Sequence, residues 1–173
     1  SASLHSPVVG DFNSENLLVA LAVLLAWDLP LAEAVEALQG ARPAPGRMET
    51  FRRPGRALVV VDYAHSPDAL AKALRALRAH CAGELWCVFG CGGDRDAGKR
   101  PMMGAVAAEL ADRIILTDDN PRSEDPQAII RDIQTGIGAN KPVCVIRDRG
   151  QAIATALRSA AVQDVVLIAG KGH

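Results

Sequence analysis

Five short apolar or β-branched runs recur along the later part of this 173-residue chain: Leu58–Val61, Leu85–Phe89, Ile114–Leu116, Val143–Ile146 and Val165–Ala169. Between them lie stretches of helical composition, Asp68–His80, Pro101–Ala111, Pro126–Thr135 and Gln151–Ala160. A strand that is apolar at every position needs cover on both faces, and helical crossovers supply it. Right-handed crossovers then wind a mostly parallel sheet with helices on both faces, a doubly wound α/β domain.

The first forty residues differ. Asn13 and Ser14 offer N-cap side chains ahead of Glu15 and an Ala/Leu-rich helix to Ala26. Pro30 breaks it, and Leu31–Leu38 reads as a second helix ended by Gly40. The segment ARPAPGRME, with Pro43, Pro45 and Gly46, predicts a linker or hinge. Leu17–Ala26, the most apolar run, is roughly half the length a bilayer crossing needs, which predicts a core helix and no membrane insertion. The chain stops at GKGH, where a strand has just delivered its loop, so it reads as a fragment.

Charge narrows the function. Lys+Arg 19 against Asp+Glu 20 gives a net charge of -1, which provides no field for a phosphate backbone, and 3% aromatic content provides few stacking platforms. No nucleic-acid partner is expected. Cys81, Cys87, Cys91 and Cys144 form no CxxC pair and no zinc spacing, so no metal site is expected. With no basic start or cleavage pattern at the N-terminus, they read as reduced, part-buried thiols of a cytoplasmic protein.

In a doubly wound sheet, ligands sit beyond the carboxyl ends of the strands. The loops expected at that edge are DYAHSP (62–67), GCGGDRDAGKR (90–100), TDDNPRSED (117–125), RDRG (147–150) and GKGH (170–173), and they hold every unusual polar cluster. Gly93-x4-Gly98-Lys99 mimics a phosphate-binding loop, but Arg100 stands where a Ser or Thr would meet Mg2+, and Asp94 and Asp96 would repel phosphates. Arg95 either grips a carboxylate with two prongs or pairs with its aspartate neighbours. Asp119-Asn120-Pro121-Arg122 either holds a ligand with carboxylates and an ammonium or caps the next helix as an Asx-turn. Asp62 suits ribose hydroxyls and Tyr63 a base or sugar, while His65 either meets phosphate or satisfies a turn carbonyl.

Taken together, GDFNSEN, PGRME, VVVDYAHSPDAL, LWCVFGCGGDRDAGKRPMMG, DDNPR and VVLIAGKGH resemble the Mur ligases of peptidoglycan synthesis, from about Gly10 to the last residue. The resemblance implies that residues 1–42 end a central ATP-binding domain and that 43–173 form a Rossmann-like C-terminal domain lacking its final segment. It implies an ATP-dependent, amide-bond-forming enzyme that uses Mg2+ and acts on UDP-MurNAc-dipeptide. In the family, Asn13 and Asn16 would lie near adenine, and Arg47, Asp62, Tyr63 and His65 along the nucleotide. Arg95, Asp119, Asn120, Pro121, Arg122 and Gly170 would hold meso-diaminopimelate, since the DNPR spelling is that of the members that add this amino acid. No catalytic residue is assigned within this chain, and a monomer is expected.

The match has departures. Family members carry an acidic residue just past GKGH, and Ser66 stands where a Thr is common. The fragment alone is expected to be inactive, because the phosphate cradle and metal ligands of the family fall outside it. A lysine-adding or cyanophycin-synthetase-like ligase of the same superfamily, or a non-catalytic nucleotide- or amino-acid-binding module, are the rival readings.

Overall fold

The computed structural model describes residues 3–5, 8, 10–139 and 141–171. The chain divides into two compact units, 1–44 and 45–173.

The first unit holds α1 (Asp11–Ala26) and α2 (Leu31–Gln39). Helix α1 starts earlier than the capping residues suggested. Gly10, at φ 100°, precedes it, and no side chain caps it. Asn13 therefore lies in the first turn, with its N–H on the Gly10 carbonyl at 2.9 Å. Glycine reaches this backbone angle freely, so the chain turns into the helix without a side-chain cap. Nor is α1 a buried core helix, because Leu18, Val19 and Val23 are exposed. A helix that is apolar all round presents more surface than the one buried face of α2 (Ala34, Val35 and Leu38) can cover. Among the described residues, no helix is long and apolar enough to cross a membrane.

The second unit opens with β1 (Glu49–Phe51), followed by β2 (Leu58–Asp62), α3 (Pro67–Arg78) and β3 (Leu85–Phe89). It continues with α4 (Lys99–Leu110), β4 (Arg113–Leu116), α5 (Pro126–Ile137), β5 (Val143–Val145), α6 (Arg149–Ser159) and β6 (Val165–Ala169). The six strands form one sheet in the order β1-β2-β6-β3-β4-β5. Only β1 runs antiparallel, with Thr50 opposite Val60. It falls at the end of the segment read as a linker.

Three helix starts follow directly from sequence. The Ser66 hydroxyl accepts from the Ala69 N–H ahead of α3, Asp125 accepts from Gln127 ahead of α5, and Asp148 accepts from Gln151 ahead of α6. Proline occupies the first turn of α3 and α5, where its missing N–H costs nothing.

The connections through α3, α4 and α5 step outward across the sheet, and α6 then returns the chain to the middle. Right-handed crossovers therefore put α6 on the opposite face from the other three. Ala152 and Ala156 of α6 pack on Val88, Ile115, Val166 and Ile168, while α3 buries Leu70, Leu74 and Leu77. This is the doubly wound, Rossmann-like architecture.

Helices α4 and α5 meet backbone to backbone. A Cβ on Gly136 would strike the Pro101 carbonyl, and one on Gly104 the Ile133 carbonyl. Gly136→Ala is expected to destabilise the chain by about 1–3 kcal/mol, the usual cost of overpacking. Urea unfolding should show this as a lower midpoint at unchanged slope.

Candidate functional site

The carboxyl ends of β2, β3, β4 and β6 enclose a polar cavity of about 430 Å3. Tyr63 and His65 come from the loop after β2, and Gly90, Gly92 and Arg95 from the loop after β3. Lys99 opens α4, Asp119, Asn120 and Arg122 follow β4, and Gly170 and Lys171 follow β6. A larger groove of about 510 Å3 lies along β1, β2 and α6, but apolar side chains such as Phe51, Val59 and Leu157 line it together with arginines. Polar groups of mixed chemistry converge on the smaller cavity, and that convergence is what marks a binding site.

Among the described residues Arg95 makes no hydrogen bond or ion pair, so it does not pair with Asp94 or Asp96. The Asx-turn alternative for the β4 loop also fails, since Asp125 rather than Asp119 caps α5. Arg122 likewise forms no hydrogen bond or ion pair among the described residues, although its charge reaches Asp94. Among the described residues four cations, Arg95, Lys99, Arg122 and Lys171, thus line the cavity with one carboxylate, that of Asp119. Such a lining favours an anion that also carries a positive end. Gly170, at φ 82°, takes a backbone angle that side chains resist and turns the β6 loop over the cavity, its N–H on the Asp62 carbonyl at 3.0 Å.

The β2 loop adds aromatic lining, with Arg47 behind it. The Arg47 guanidinium stacks 4.5 Å from the Tyr63 ring centroid, and the Tyr63 and His65 rings lie 4.7 Å apart. His65 Nδ1 is 3.0 Å from the Tyr63 carbonyl, while the His65 carbonyl accepts from Lys99 Nζ at 2.8 Å. His65 thus satisfies a turn and lines the cavity at once. Asp62 does not line it. Its carboxylate accepts from the Met48 N–H at 2.9 Å and the Ala64 N–H at 2.8 Å, which fixes the turn that presents Tyr63. Asn13 and Asn16 belong to the first unit, with the Asn16 amide donating to the Asn13 side chain at 3.3 Å.

Lys99 and Lys171 were not singled out from sequence. The signal for Lys99 was its place at the end of the phosphate-loop mimic, and for Lys171 its place within GKGH. The RDRG loop reaches the same edge without lining the cavity. Arg147 pairs with Asp118 at 2.9 Å, and Arg149 donates to the Ala169 carbonyl at 2.7 Å. Burial pulls the Arg149 pKa down against the opposing charge of Asp119, and its Nε and Nη1 have no partner. All four cysteines are free; Cys144 is exposed, against expectation, while burial pushes Cys87 up to about 12 and Cys91, on the cavity wall, to about 11. Neither buried thiol is a nucleophile near neutral pH.

Residues 46–172 match the family model "Mur ligase, glutamate ligase domain". This chain belongs to the Mur ligase family. Across 170 residues, 98% of the chain, it is 55% identical to the UDP-N-acetylmuramoyl-L-alanyl-D-glutamate–2,6-diaminopimelate ligase of Vibrio cholerae serotype O1, covering 34% of that protein. A solved structure of a ligase with the same name superposes over the whole chain with a TM-score of 0.74 and 45% identity, covering 36% of that protein. A folylpolyglutamate synthase/dihydrofolate synthase from Yersinia pestis, solved with AMPPNP and a Mn ion, shares 27% identity and a TM-score of 0.73 over 99% of the chain and 38% of its own length. The chain thus spans about a third of the proteins it matches.

Two carboxylates hold the cavity loops together. The Ser123 hydroxyl, and next its N–H, keeps Asp94 below its ordinary range, and the Arg100 guanidinium does the same for Glu124. Both bind protons more weakly folded than unfolded. Their contribution to stability is therefore complete above the ordinary carboxylate range near 4 and is lost as pH falls below it. Urea midpoints at pH 6 and pH 3 should show a smaller acid loss in Asp94→Asn and Glu124→Gln than in the parent chain.

Proposed function

We propose that this chain is the C-terminal portion of an ATP-dependent ligase that joins meso-diaminopimelate to the D-glutamate end of UDP-MurNAc-L-Ala-D-Glu. The observation that carries the reading is the pair of arginines, Arg95 and Arg122, without a partner among the described residues and facing one cavity with Asp119 and Asn120. Diaminopimelate has two carboxylates and two amines. Arginine forks suit the carboxylates, and Asp119 with Asn120 suits an ammonium. Similarity to diaminopimelate ligases over nearly the whole chain supports the same choice.

The wall made by Arg47, Tyr63 and His65 is the nucleotide side in this reading, and Asp62 contributes by shaping its turn. Asn13 and Asn16 are assigned to the adenine, residues 1–42 to the end of the ATP-binding domain and 43–173 to the amino-acid-binding domain. The reading makes the protein a cytoplasmic enzyme, since it draws on ATP.

The reaction proceeds in two steps. The D-glutamate γ-carboxylate attacks the γ-phosphorus of ATP, giving an acyl phosphate and ADP. An amine of diaminopimelate, having lost its proton, then attacks the acyl carbon; the bond to phosphate breaks and the amide forms. This chain's share is orientation: two anchored carboxylates leave one amine directed at the carbonyl, and such positioning is worth several kcal/mol. Mg2+ would neutralise charge on the transferring phosphate. Asp119, alone among cationic side chains, is not a donor set that fits a resident metal, and among the described residues no cluster of His, Cys, Asp or Glu could hold one. The ion is assigned to the nucleotide.

In the full-length protein, Arg95→Ala and Arg122→Ala should each raise the KM for diaminopimelate far more than that for ATP. Loss of a charged hydrogen bond, roughly 1.5–3 kcal/mol, corresponds to about ten- to hundredfold. Steady-state kinetics showing equal damage to both substrates, or none, would count against the site. Asn120→Ala should loosen discrimination against lysine in a competition assay; unchanged selectivity would reject its role and favour a lysine-type acceptor.

A further inference from the structure

We propose that Asp94, Ser123, Glu124 and Arg100 are positioning residues, a clamp that sets the distance between the two cavity arginines. The proposal rests on the diaminopimelate reading and extends it to four residues that line none of the cavity.

The bonds run back and forth between the loop after β3 and the loop after β4. The Asp94 carboxylate accepts from the Ser123 hydroxyl at 2.6 Å and from the Ser123 N–H at 3.3 Å. In return the Asp94 N–H donates to Glu124 Oε1 at 2.6 Å. The same oxygen accepts from Arg100 Nη2 at 2.7 Å, and Arg100 Nη1 donates to Asp132 of α5 at 2.9 Å. The Arg100 side chain is only 2% exposed, so this end of the network is anchored away from solvent. Beside it the Gly93 N–H donates to the Asn120 carbonyl at 2.8 Å, and a Cβ on Gly93 would strike the Pro121 carbonyl. The two loops are in backbone contact.

The clamp and the arginines divide the work. Asp94 immediately precedes Arg95, and Ser123 immediately follows Arg122. Asp94 and Arg122 share a left-handed φ of 52°, a conformation most residues avoid and one that persists only where surroundings impose it. The carboxylates and hydroxyl of the clamp are hydrogen-bonded within it, whereas neither cavity arginine forms a hydrogen bond among the described residues. Backbone direction is therefore fixed next to each guanidinium while the guanidinium itself stays free for a ligand. Exposed pairs such as Asp94–Ser123 contribute little singly, and the tie through Glu124 to buried Arg100 makes them one unit. A ligand with a carboxylate at each end of a short chain then meets two cations whose backbones are held in register.

The test uses the full-length protein with Ser123→Ala, Ser123→Thr and Asp94→Asn, the last chosen because asparagine tolerates the left-handed angle. Ser123→Ala and Asp94→Asn should raise the KM for diaminopimelate about tenfold, leave the KM for ATP nearly unchanged, lower the Tm at neutral pH only slightly, and lower kcat less than twofold. Ser123→Thr, which keeps the hydroxyl, should stay within twofold of the parent KM. An unchanged diaminopimelate KM, or a parallel rise in both KM values, would overturn the clamp. Hydrogen–deuterium exchange of the ligand-free protein gives a readout independent of the acceptor. Asp94→Asn should speed exchange across 119–124 on the neighbouring loop, and unchanged exchange there also rejects the proposal. If the parent protein does not use diaminopimelate, the functional reading fails by itself, and exchange still decides whether the loops are clamped.

Discussion

Strand β6 must bury every one of its five residues, Val165 to Ala169. A strand with that requirement has no place at an edge, and it enters between β2 and β3, where Leu167 is flanked by Val60 and Cys87. The cavity follows from this insertion. Without it the loops after β2 and β3 would adjoin directly. With it, Gly170 and Lys171 are delivered between them, and four chain segments far apart in sequence share one wall. Hydrophobic burial of one strand thus decides where the polar groups meet.

Arg100 illustrates how similar sequence patterns can end in different chemistry. In a phosphate-binding loop the corresponding hydroxyl would face a metal ion. Here a guanidinium turns inward to Glu124 and Asp132, joining α4 to α5 and to the loop between β4 and α5. The glycines at the start of the loop serve close approach of two backbones. A pattern that looks built for phosphate is spent on holding another loop.

Most of the sheet was legible because its strands are apolar on both faces, a pattern that helices of this length do not produce. Strand β1 was not, since Glu49, Thr50 and Phe51 are too few to show a period and follow two prolines and a glycine. The start of α1 was misplaced because Gly10 does by backbone freedom what Asn13 and Ser14 were expected to do with side chains. Within the site, Arg95, Asp119, Asn120 and Arg122 could be chosen as unusual polar residues at strand ends. Asp62 carries the same kind of signal, yet both of its oxygens serve backbone N–H groups. One of these bonds closes a turn two residues on, but the other reaches Met48 fourteen residues away, and spacing does not encode it.

The sheet ends on both sides in strands of three residues, β1 and β5. Arg52, Arg53 and Pro54 follow β1, and Lys141 and Pro142 precede β5. Short rims flanked by charge and by a residue with no N–H offer a poor template for another chain to pair with. So apolar an interior can therefore be carried in a crowded solution without recruiting copies of itself edge to edge.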